Sequence, residues 1–232
     1  MTDLVKEYPF KIELHAHTKP VSGCSDIFPE ELVHTYAALG YDAVVLTNHF
    51  EPSRLNLKSA EESALLYLND WHCAQKEGKK AGLLVLLGME IRFTENSNDY
   101  LVYGLEEDDI IRAYAFLGEG IERFSKAFRR PRHIIVQAHP FRNGCTPAEP
   151  SLLDGIESFN MHPNHNSRNG TAIRFAKQHG LLTTAGTDYH HRGHEGLAAV
   201  RTAVLPQSSC ALADILRSGN YVFDLCGSIV IP

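Results

Sequence analysis

Histidine and acidic residues recur directly after the apolar stretches of this chain. Five such stretches carry them, and the residues are His15 and His17, then His49, then Glu90, then His139, and last Asp188 and His190. Imidazole and carboxylate groups are the donors that Zn, Fe and Mn accept in proteins. The pattern therefore favours a metal centre built from several segments, and the chemistry expected of it is metal-assisted hydrolysis.

The spacing within this set supports convergence. Residues i and i+2 of an extended strand point to the same face, so His15 and His17 can reach one point, and Asp188 and His190 another nearby. The single carboxylate of Glu90 can bridge two ions about 3.5–4 Å apart. We therefore expect His15, His17, His49, Glu90, His139, Asp188 and His190 to bind metal, and His49, Glu90, Asp188 and His190 to act in catalysis.

Strand and helix patterns alternate along the chain and would position these residues. The predicted strands lie around Phe10 to Leu14 and at 43–47, 83–87, 100–104, 133–138, 155–159 and 181–185, with two more in 198–225 around a short helix at 211–218. The predicted helices lie at 29–41, 60–80, 108–129 and 168–179. Alternation of this kind predicts a mainly parallel sheet, either doubly wound or closed into a barrel, with the ligand site at the carboxyl ends of the strands. We favour the barrel, as one domain over residues 1–232.

Composition limits the class of protein. The chain has 232 residues, 44% hydrophobic and 22% charged, which is typical of a globular protein and not of a disordered, collagen-like or membrane protein. The net charge of −6 provides no basic field for a nucleic acid. Five cysteines without a CxxC pair indicate reduced thiols, and residues 1–11 lack the apolar segment of a signal peptide. We expect a cytoplasmic protein.

The motifs together resemble the signature of the PHP (polymerase and histidinol phosphatase) superfamily. The matching segments, in the same order, are His15-x-His17-Thr18, Thr47-Asn48-His49, Gly88-Met89-Glu90-Ile91, Ala138-His139-Pro140 and Gly186-Thr187-Asp188-Tyr189-His190. The resemblance covers most of the chain. It implies an α/β fold, a distorted (β/α)7 TIM-like barrel, with two or three divalent transition-metal ions (Mn, Zn or Fe) and hydrolysis of phosphate monoesters or diesters.

The resemblance also implies how the ligands are shared. His15, His17, Glu90 and Asp188 would hold the first ion, Glu90 and His139 the second, and His49 with His190 a third.

The sequence departs from the family pattern at three places. Asn48 stands where an Asp usually precedes the second-motif His, and Ser22-Gly23-Cys24-Ser25-Asp26 occupies the loop that often carries a further His. His133, at the start of its strand, lies at the wrong end to bind the second ion and is interpreted as structural. Apart from His133, no histidine lies between Glu90 and His139, so we expect one ligand of the second ion to be absent or replaced by Asp99.

A phosphate ester also needs cationic donors, and planar guanidinium groups suit it. Arg92 and Arg142 follow the ligands Glu90 and His139 closely, and Arg168 and His194 are further candidates for binding substrate. Each arginine could instead form a surface ion pair. Without a third ion, His190 or His49 could protonate the leaving alkoxide.

The expected substrate is a small phosphorylated metabolite, with short oligonucleotides still possible and no membrane partner. The sequence does not indicate the oligomeric state. One alternative is an amidohydrolase-like C–N or lactone hydrolase, although such barrels carry a bridging lysine and none lies between Leu83 and Asp99. Another is a non-catalytic metal-binding PHP domain.

Overall fold

The protein folds from alternating strands and helices, which confirms the predicted α/β class. The computed structural model describes residues 3–55, 59–129 and 131–232. The strands are β1 (Phe10–Ala16), β2 (Ala43–Leu46), β3 (His49–Phe50), β4 (Leu84–Leu87), β5 (Met89–Arg92), β6 (Asp99–Tyr103), β7 (Ile134–Gln137), β8 (Gly155–Asn160), β9 (Leu182–Gly186), β10 (Ala198–Thr202), β11 (Tyr221–Leu225) and β12 (Ser228–Val230). The helices are α1 (Leu4–Glu7), α2 (Pro29–Ala38), α3 (Pro52–Leu55), α4 (Ala60–Ala81), α5 (Glu107–Tyr114), α6 (Gly120–Phe128), α7 (Asn169–His179) and α8 (Ser209–Ser218), with a 3₁₀ turn at Pro150–Leu152.

The strands form two sheets of six, in the orders β12-β11-β10-β1-β2-β4 and β3-β5-β6-β7-β8-β9. The expectation of a mainly parallel sheet is wrong, because β6 is antiparallel to both neighbours and β10 is antiparallel to β1 and β11. The connection of β5 to β6, residues 93–98, is too short for the crossover that a parallel pair needs. The chain therefore turns back there and at the β11–β12 hairpin.

The closed TIM-like barrel that we predicted is not confirmed, since the hydrogen-bonded ladders of the described residues divide between two sheets. Breaks at residues 47–48 and at Gly88 separate β2 from β3 and β4 from β5, so the chain passes from one sheet to the other at both places. The sheets also meet where β1 ends, because the N–H of His17 donates to Tyr189 O and the N–H of Tyr189 to His15 O. One apolar cluster includes Leu14 of the first sheet and Val136 of the second.

Local sequence explains where helices begin and end. In α4 the hydroxyl of Ser59 accepts the N–H of Glu62, whose carboxylate accepts the N–H of Ser59, and Gly82 ends the helix at φ 74°. The predicted single helix at 108–129 is wrong: it divides into α5 and α6. Gly120 has φ 81°, and the carboxylate of Glu95 accepts the N–H of Ile121 at the start of α6.

His133 has the structural position expected of it. Its buried ring lies with Nδ1 2.7 Å from Phe128 O and Nε2 3.0 Å from the carboxylate of Asp109. Among the described helices, we find none with the length and apolar character that crossing a bilayer requires.

Candidate metal centre

The side chains singled out in the sequence meet at one edge, where the two sheets join. His15 lies on β1, His49 on β3 and Glu90 on β5, while His139 and Asp188 come after β7 and β9. In the β3–β5 ladder His49 and Glu90 are direct partners. The backbone there is unusual, since His139 and Asp188 have φ of 29° and 57°. Residues other than glycine rarely adopt positive φ, and those that do are often found at functional sites.

The carboxylate of Glu90 is surrounded by four imidazoles. The distances to Glu90 oxygens are 3.3 Å from Nε2 of His15, 3.5 Å from Nε2 of His17, 2.8 Å from Nδ1 of His49 and 3.3 Å from Nε2 of His139. The Glu90 side chain is fully buried. A single carboxylate in this position can serve ions on two sides.

Asp188 closes the set on the other side. Its Oδ1 lies 3.4 Å from Nε2 of His15 and 3.3 Å from Nε2 of His17. The donor atoms of His15, His17 and Asp188 all lie within 4.8 Å of one another, as do those of His49, Glu90 and Asp99 and those of His17, His49 and His190. Three neighbouring groups of ligand-type atoms thus share residues.

These donors fit divalent cations because their polar atoms lack other partners. Nε2 of His15, Nε2 of His17 and both oxygens of Glu90 are buried and have no hydrogen-bond partner outside the candidate ligands among the described residues. A buried polar atom without a partner costs about 1–3 kcal/mol. Four such atoms in one place are explained by ions that they would coordinate, and the set of imidazoles and carboxylates suits Mn, Zn or Fe.

The electrostatics follow from this crowding. Burial lowers the pKa of His15, but the carboxylates of Glu157 and Asp188 outweigh it and raise that pKa well above its usual value. Burial raises the pKa of Glu90, yet the imidazoles of His15 and His49 hold it well below its usual range. The carboxylate of Glu90 is therefore in the charged form that binds cations.

Glu157, which none of the sequence motifs includes, supports the centre from behind. Its Oε1 lies 2.8 Å from Nδ1 of His15, which leaves Nε2 to face the centre. Its Oε2 accepts the N–H of His139 and the side-chain amide of Asn160, and that amide also donates to Asp188. A carboxylate behind a metal-binding imidazole fixes the tautomer and orientation of its ring. The available signal was a lone Glu inside the predicted strand at 155–159.

Asn48, the departure in the second motif, ties the first two motifs together. Its Oδ1 accepts the N–H of Thr18 at 2.6 Å and the hydroxyl of Ser22 at 2.9 Å. Its amide donates to the hydroxyl of Thr18 and to the carboxylate of Asp70 at 3.2 Å. Asn48, which precedes His49 in the chain, thus hydrogen-bonds to Thr18, the residue that follows His17.

Arg92 does not extend freely into the site as a phosphate donor. It faces Asp99 directly in the β5–β6 ladder, and its Nε and Nη2 contact the two oxygens of Asp99 at 2.7 and 2.6 Å. Its Nη1 lies 3.3 Å from Glu51. Asp99 also lies 3.8 Å from Nε2 of His139, so its carboxylate adjoins the candidate ligands.

Beside the ligands opens a cavity of about 360 Å³, the size range of small-molecule sites. Arg142 lines it, 24% exposed, with Nη1 3.4 Å from Nδ1 of His165 and Nη2 3.7 Å from Asp99. Its remaining lining residues are Cys24, His49, Arg92, His139, His162, Asn164, Asp188, His190 and His191. The cavity therefore joins the candidate metal ligands to a guanidinium and several imidazoles.

The other two predicted substrate groups lie outside this lining. Arg168 donates to Phe141 O at 2.5 Å and to Asn143 at 2.7 Å, so it braces the loop that carries Arg142. The ring of His194 lies 5.3 Å from that of His162, and its Nδ1 is buried without a hydrogen bond among the described residues.

Comparison with known proteins found a matching family model and similar solved structures. The family model of the PHP domain matches residues 13–218. A structure of a two-domain protein containing a predicted PHP-like metal-dependent phosphoesterase, from Bacteroides vulgatus ATCC 8482, is similar at 17% identity and a TM-score of 0.63. The match covers 92% of this chain but 64% of that one, less than two thirds of its length. PsfC from Pseudomonas syringae PB-5123 is similar at 16% identity and a TM-score of 0.62, over 89% of this chain and 87% of that chain. No curated protein matches the sequence.

Proposed function

Because this chain belongs to the PHP domain family, we propose that it is a metal-dependent phosphoesterase acting on a small phosphorylated metabolite, as a monoester or diester. The observation that carries the proposal is the set of four unpartnered buried atoms around Glu90, beside a cavity that Arg142 lines. Ligand atoms for cations and a hydrogen-bond donor for an anion lie next to each other there. A phosphate ester bound between cations and a guanidinium needs this combination.

Two groups of residues would hold ions. His15, His17, Glu90 and Asp188 form the first, and Glu90, His139 and Asp99 the second. Bound divalent ions would act as Lewis acids toward the phosphate oxygens and would lower the pKa of a bound water, so that hydroxide is available as the nucleophile. Glu90 belongs to both groups, so its loss should affect both.

The chain's own part is to bind and orient the ester. Arg142 presents a guanidinium to the cavity, and its contact with Asp99 is long, so its hydrogen-bonding fork is available to phosphate oxygens. His165 lies within 3.4 Å of Arg142 and can share the anion. Arg168 holds this loop in place. His190, which lines the cavity, is positioned to give a proton to the leaving oxygen where no third ion is bound.

The cavity limits the substrate. About 360 Å³ suits a sugar, nucleotide or amino-alcohol phosphate better than a folded polynucleotide. The acidic net charge of the chain, −6, points the same way.

Metal-stripped protein, reloaded separately with Mn, Zn, Fe, Co or Mg, should be screened against phosphate monoesters, phosphate diesters, lactones and amides. We expect metal-dependent release of phosphate or alcohol, with Glu90→Gln losing both metal and turnover and the distant Glu122→Gln behaving as wild type. Turnover of a lactone or amide without any phosphate ester would overturn the proposal. So would loaded protein that turns over none of them.

Arg142 provides a second, independent test. A hydrogen bond to a charged group contributes about 1.5–3 kcal/mol, so Arg142→Ala should lower kcat/KM by about 10- to 150-fold with unchanged metal content. Arg142→Lys should restore part of it, because an ammonium lacks the guanidinium fork. Arg174→Ala on α7, at an exposed position, is the matched control. Unaltered kinetics in Arg142→Ala would remove the residue from the phosphate site.

A further inference from the structure

The loop after β8, residues 161–168, forms a wall of the cavity beside His190. Two of its imidazoles, those of His162 and His165, stack on each other with centroids 3.9 Å apart and planes inclined by 18°. Both residues line the cavity, as does Asn164 between them. The ring of His162 also lies at 74° to that of His190, with a centroid distance of 5.8 Å. His162 is therefore a neighbour of the residue positioned to give a proton to the leaving oxygen.

A hydrogen bond within this loop fixes the tautomer of His162. Its Nδ1 accepts the N–H of Asn164 at 3.2 Å. A ring nitrogen that accepts a hydrogen bond carries no proton, and a backbone N–H can only donate, so the ring is neutral with its proton on Nε2. The residue is 7% exposed, where it borders the cavity. His162 is therefore an uncharged hydrogen-bond donor, unlike the guanidinium of Arg142 in the same cavity.

Asn160 holds the loop against the candidate ligands. Its Oδ1 accepts the N–H of His162 at 3.3 Å and the hydroxyl of Ser167 at 3.0 Å. Its amide donates to Glu157 at 3.0 Å and to Asp188 at 3.1 Å. Both ends of the loop are thus tied to one side chain that also contacts the centre. The donor of His162 is fixed before a substrate binds, which lowers the entropic cost of recognition.

The cavity lining is rich in nitrogen donors and poor in acceptors. Among the described residues that line it, Asp188 alone has a carboxylate, and Asp188 is a candidate metal ligand. An ammonium group on a substrate would face Arg142 and the imidazoles without a carboxylate of its own. A hydroxyl-bearing alcohol instead offers acceptor oxygens to the same donors. The lining therefore favours polyol and sugar phosphates over amino-alcohol phosphates.

We propose that His162 determines specificity for the alcohol part of the ester: its Nε2–H donates to a hydroxyl oxygen of the leaving alcohol, and the substrate is a polyol or sugar phosphate. The inference rests on the proposed function and narrows its substrate class. His162 takes no part in breaking the ester bond, so it acts on the choice of leaving group and not on metal binding.

Phosphate monoesters of similar size test this role. Glycerol phosphate has free hydroxyls and propyl phosphate has none, and we expect metal-loaded wild type to prefer glycerol phosphate over propyl phosphate and ethanolamine phosphate. His162→Phe keeps an aromatic ring but lacks the donor. Its kcat/KM for glycerol phosphate should fall by about 2- to 12-fold, the contribution of one neutral hydrogen bond, with no change for propyl phosphate. His162→Gln, which has an amide donor, should restore part of the preference. His179→Phe, exposed at the end of α7, is the matched control.

A second measurement does not depend on turnover. Nuclear magnetic resonance of zinc-loaded protein with isotope-labelled histidine should show the proton of His162 on Nε2. The phosphonate analogue of glycerol phosphate, in which CH₂ replaces the ester oxygen, should shift that signal. The corresponding analogue of propyl phosphate, without hydroxyls, should leave it in place.

The outcomes separate this inference from the proposed function. The role of His162 would be overturned, even if phosphate esters are hydrolysed, by a proton on Nδ1, by a signal that does not respond to the hydroxylated analogue, or by kinetics in which His162→Phe loses nothing or loses equally on both esters. A preference for propyl or ethanolamine phosphate would also overturn it. A His162 signal that responds only to the hydroxylated analogue, in protein that hydrolyses no phosphate ester, would support the donor and overturn the proposed function.

Discussion

Replacing Glu157 by Gln tests whether the candidate centre depends on support from behind its ligands. The Glu157 side chain is about 1% exposed, and its two oxygens have separate tasks. Oε1 lies 2.8 Å from Nδ1 of His15, and Oε2 accepts the N–H of His139 and the amide of Asn160. Glutamine has one acceptor oxygen, so its NH₂ group must face a donor on one side or the other.

The expected magnitude follows from these contacts. A hydrogen bond to a charged group contributes about 1.5–3 kcal/mol, and burial of Glu157 leaves no solvent to replace it. Carboxylates that orient metal-binding imidazoles contribute about 10- to 100-fold in affinity. We therefore expect Glu157→Gln to bind its tightest ion about 10- to 100-fold more weakly while keeping the fold.

Competition with a chromophoric chelator, on metal-stripped protein, measures that affinity directly. Circular dichroism and the Tm of the stripped proteins check that the fold survives. The exposed Glu122→Gln is the control. If Glu157→Gln is folded and binds the ion as tightly as wild type, the orientation of His15 does not depend on this carboxylate and the reasoning is refuted.

Two further changes test packing and charge. Gly186→Ala brings a Cβ to 2.5 Å from Cβ of His15, so metal binding should weaken in the same chelator assay, whereas Gly170→Ala, in open space on α7, should leave binding intact. Burial raises the pKa of Asp109, but its hydrogen bonds with His133 and the backbone of Glu106, together with the charges of His133 and Arg132, outweigh this and lower it from 3.8 to about 2. This carboxylate thus adds about 2 kcal/mol to the free energy of unfolding, fully present above pH about 4 and lost as pH falls toward 2. Urea denaturation of Asp109→Asn should show that loss at pH 7 but not at pH 2; an equal loss at both would contradict the charge argument.

Residues at the carboxyl ends of the predicted parallel strands could be found from the sequence alone. His15, Glu90 and Asp188 come at the ends of strong apolar stretches, and the carboxyl ends of parallel strands share one edge. Their convergence therefore needs no knowledge of side-chain packing. The strand boundaries were close for the same reason, as with the predicted 43–47 against Ala43–Leu46.

Residues outside that rule were harder to place. Asp99 is the first residue of β6, and it reaches the site only because β6 runs antiparallel to its neighbours. A rule that considers only the residues at the carboxyl end of each strand misses a residue at the amino end. Glu157 lies within β8, where a pattern of apolar residues does not reveal which face a lone carboxylate occupies.

The arginines show a limit of a different kind. Arg92 and Arg142 both line the cavity, yet Arg92 forms a bidentate ion pair with Asp99, its partner in the ladder, whereas Arg142 lies on a loop with Nη2 3.7 Å from Asp99. Strand register decides this difference, and register is set by long-range pairing. The ion pair of Arg92 with Asp99 therefore becomes apparent only once the pairing of β5 with β6 is known.

The departures from the family pattern preserve charge around the centre. In the proposed second group, Asp99 would replace a neutral imidazole and add a negative charge, which its bidentate contact with Arg92 balances. At position 48 an amide replaces a carboxylate, and the carboxylate of Asp70 lies 3.2 Å from that amide. Since a buried, uncompensated charge is costly, we expect Asp99 to depend on Arg92, whereas the neutral Asn48 donates a hydrogen bond to the buried carboxylate of Asp70. Loss of Arg92 should therefore disturb the candidate centre through Asp99, although Arg92 itself binds no ion.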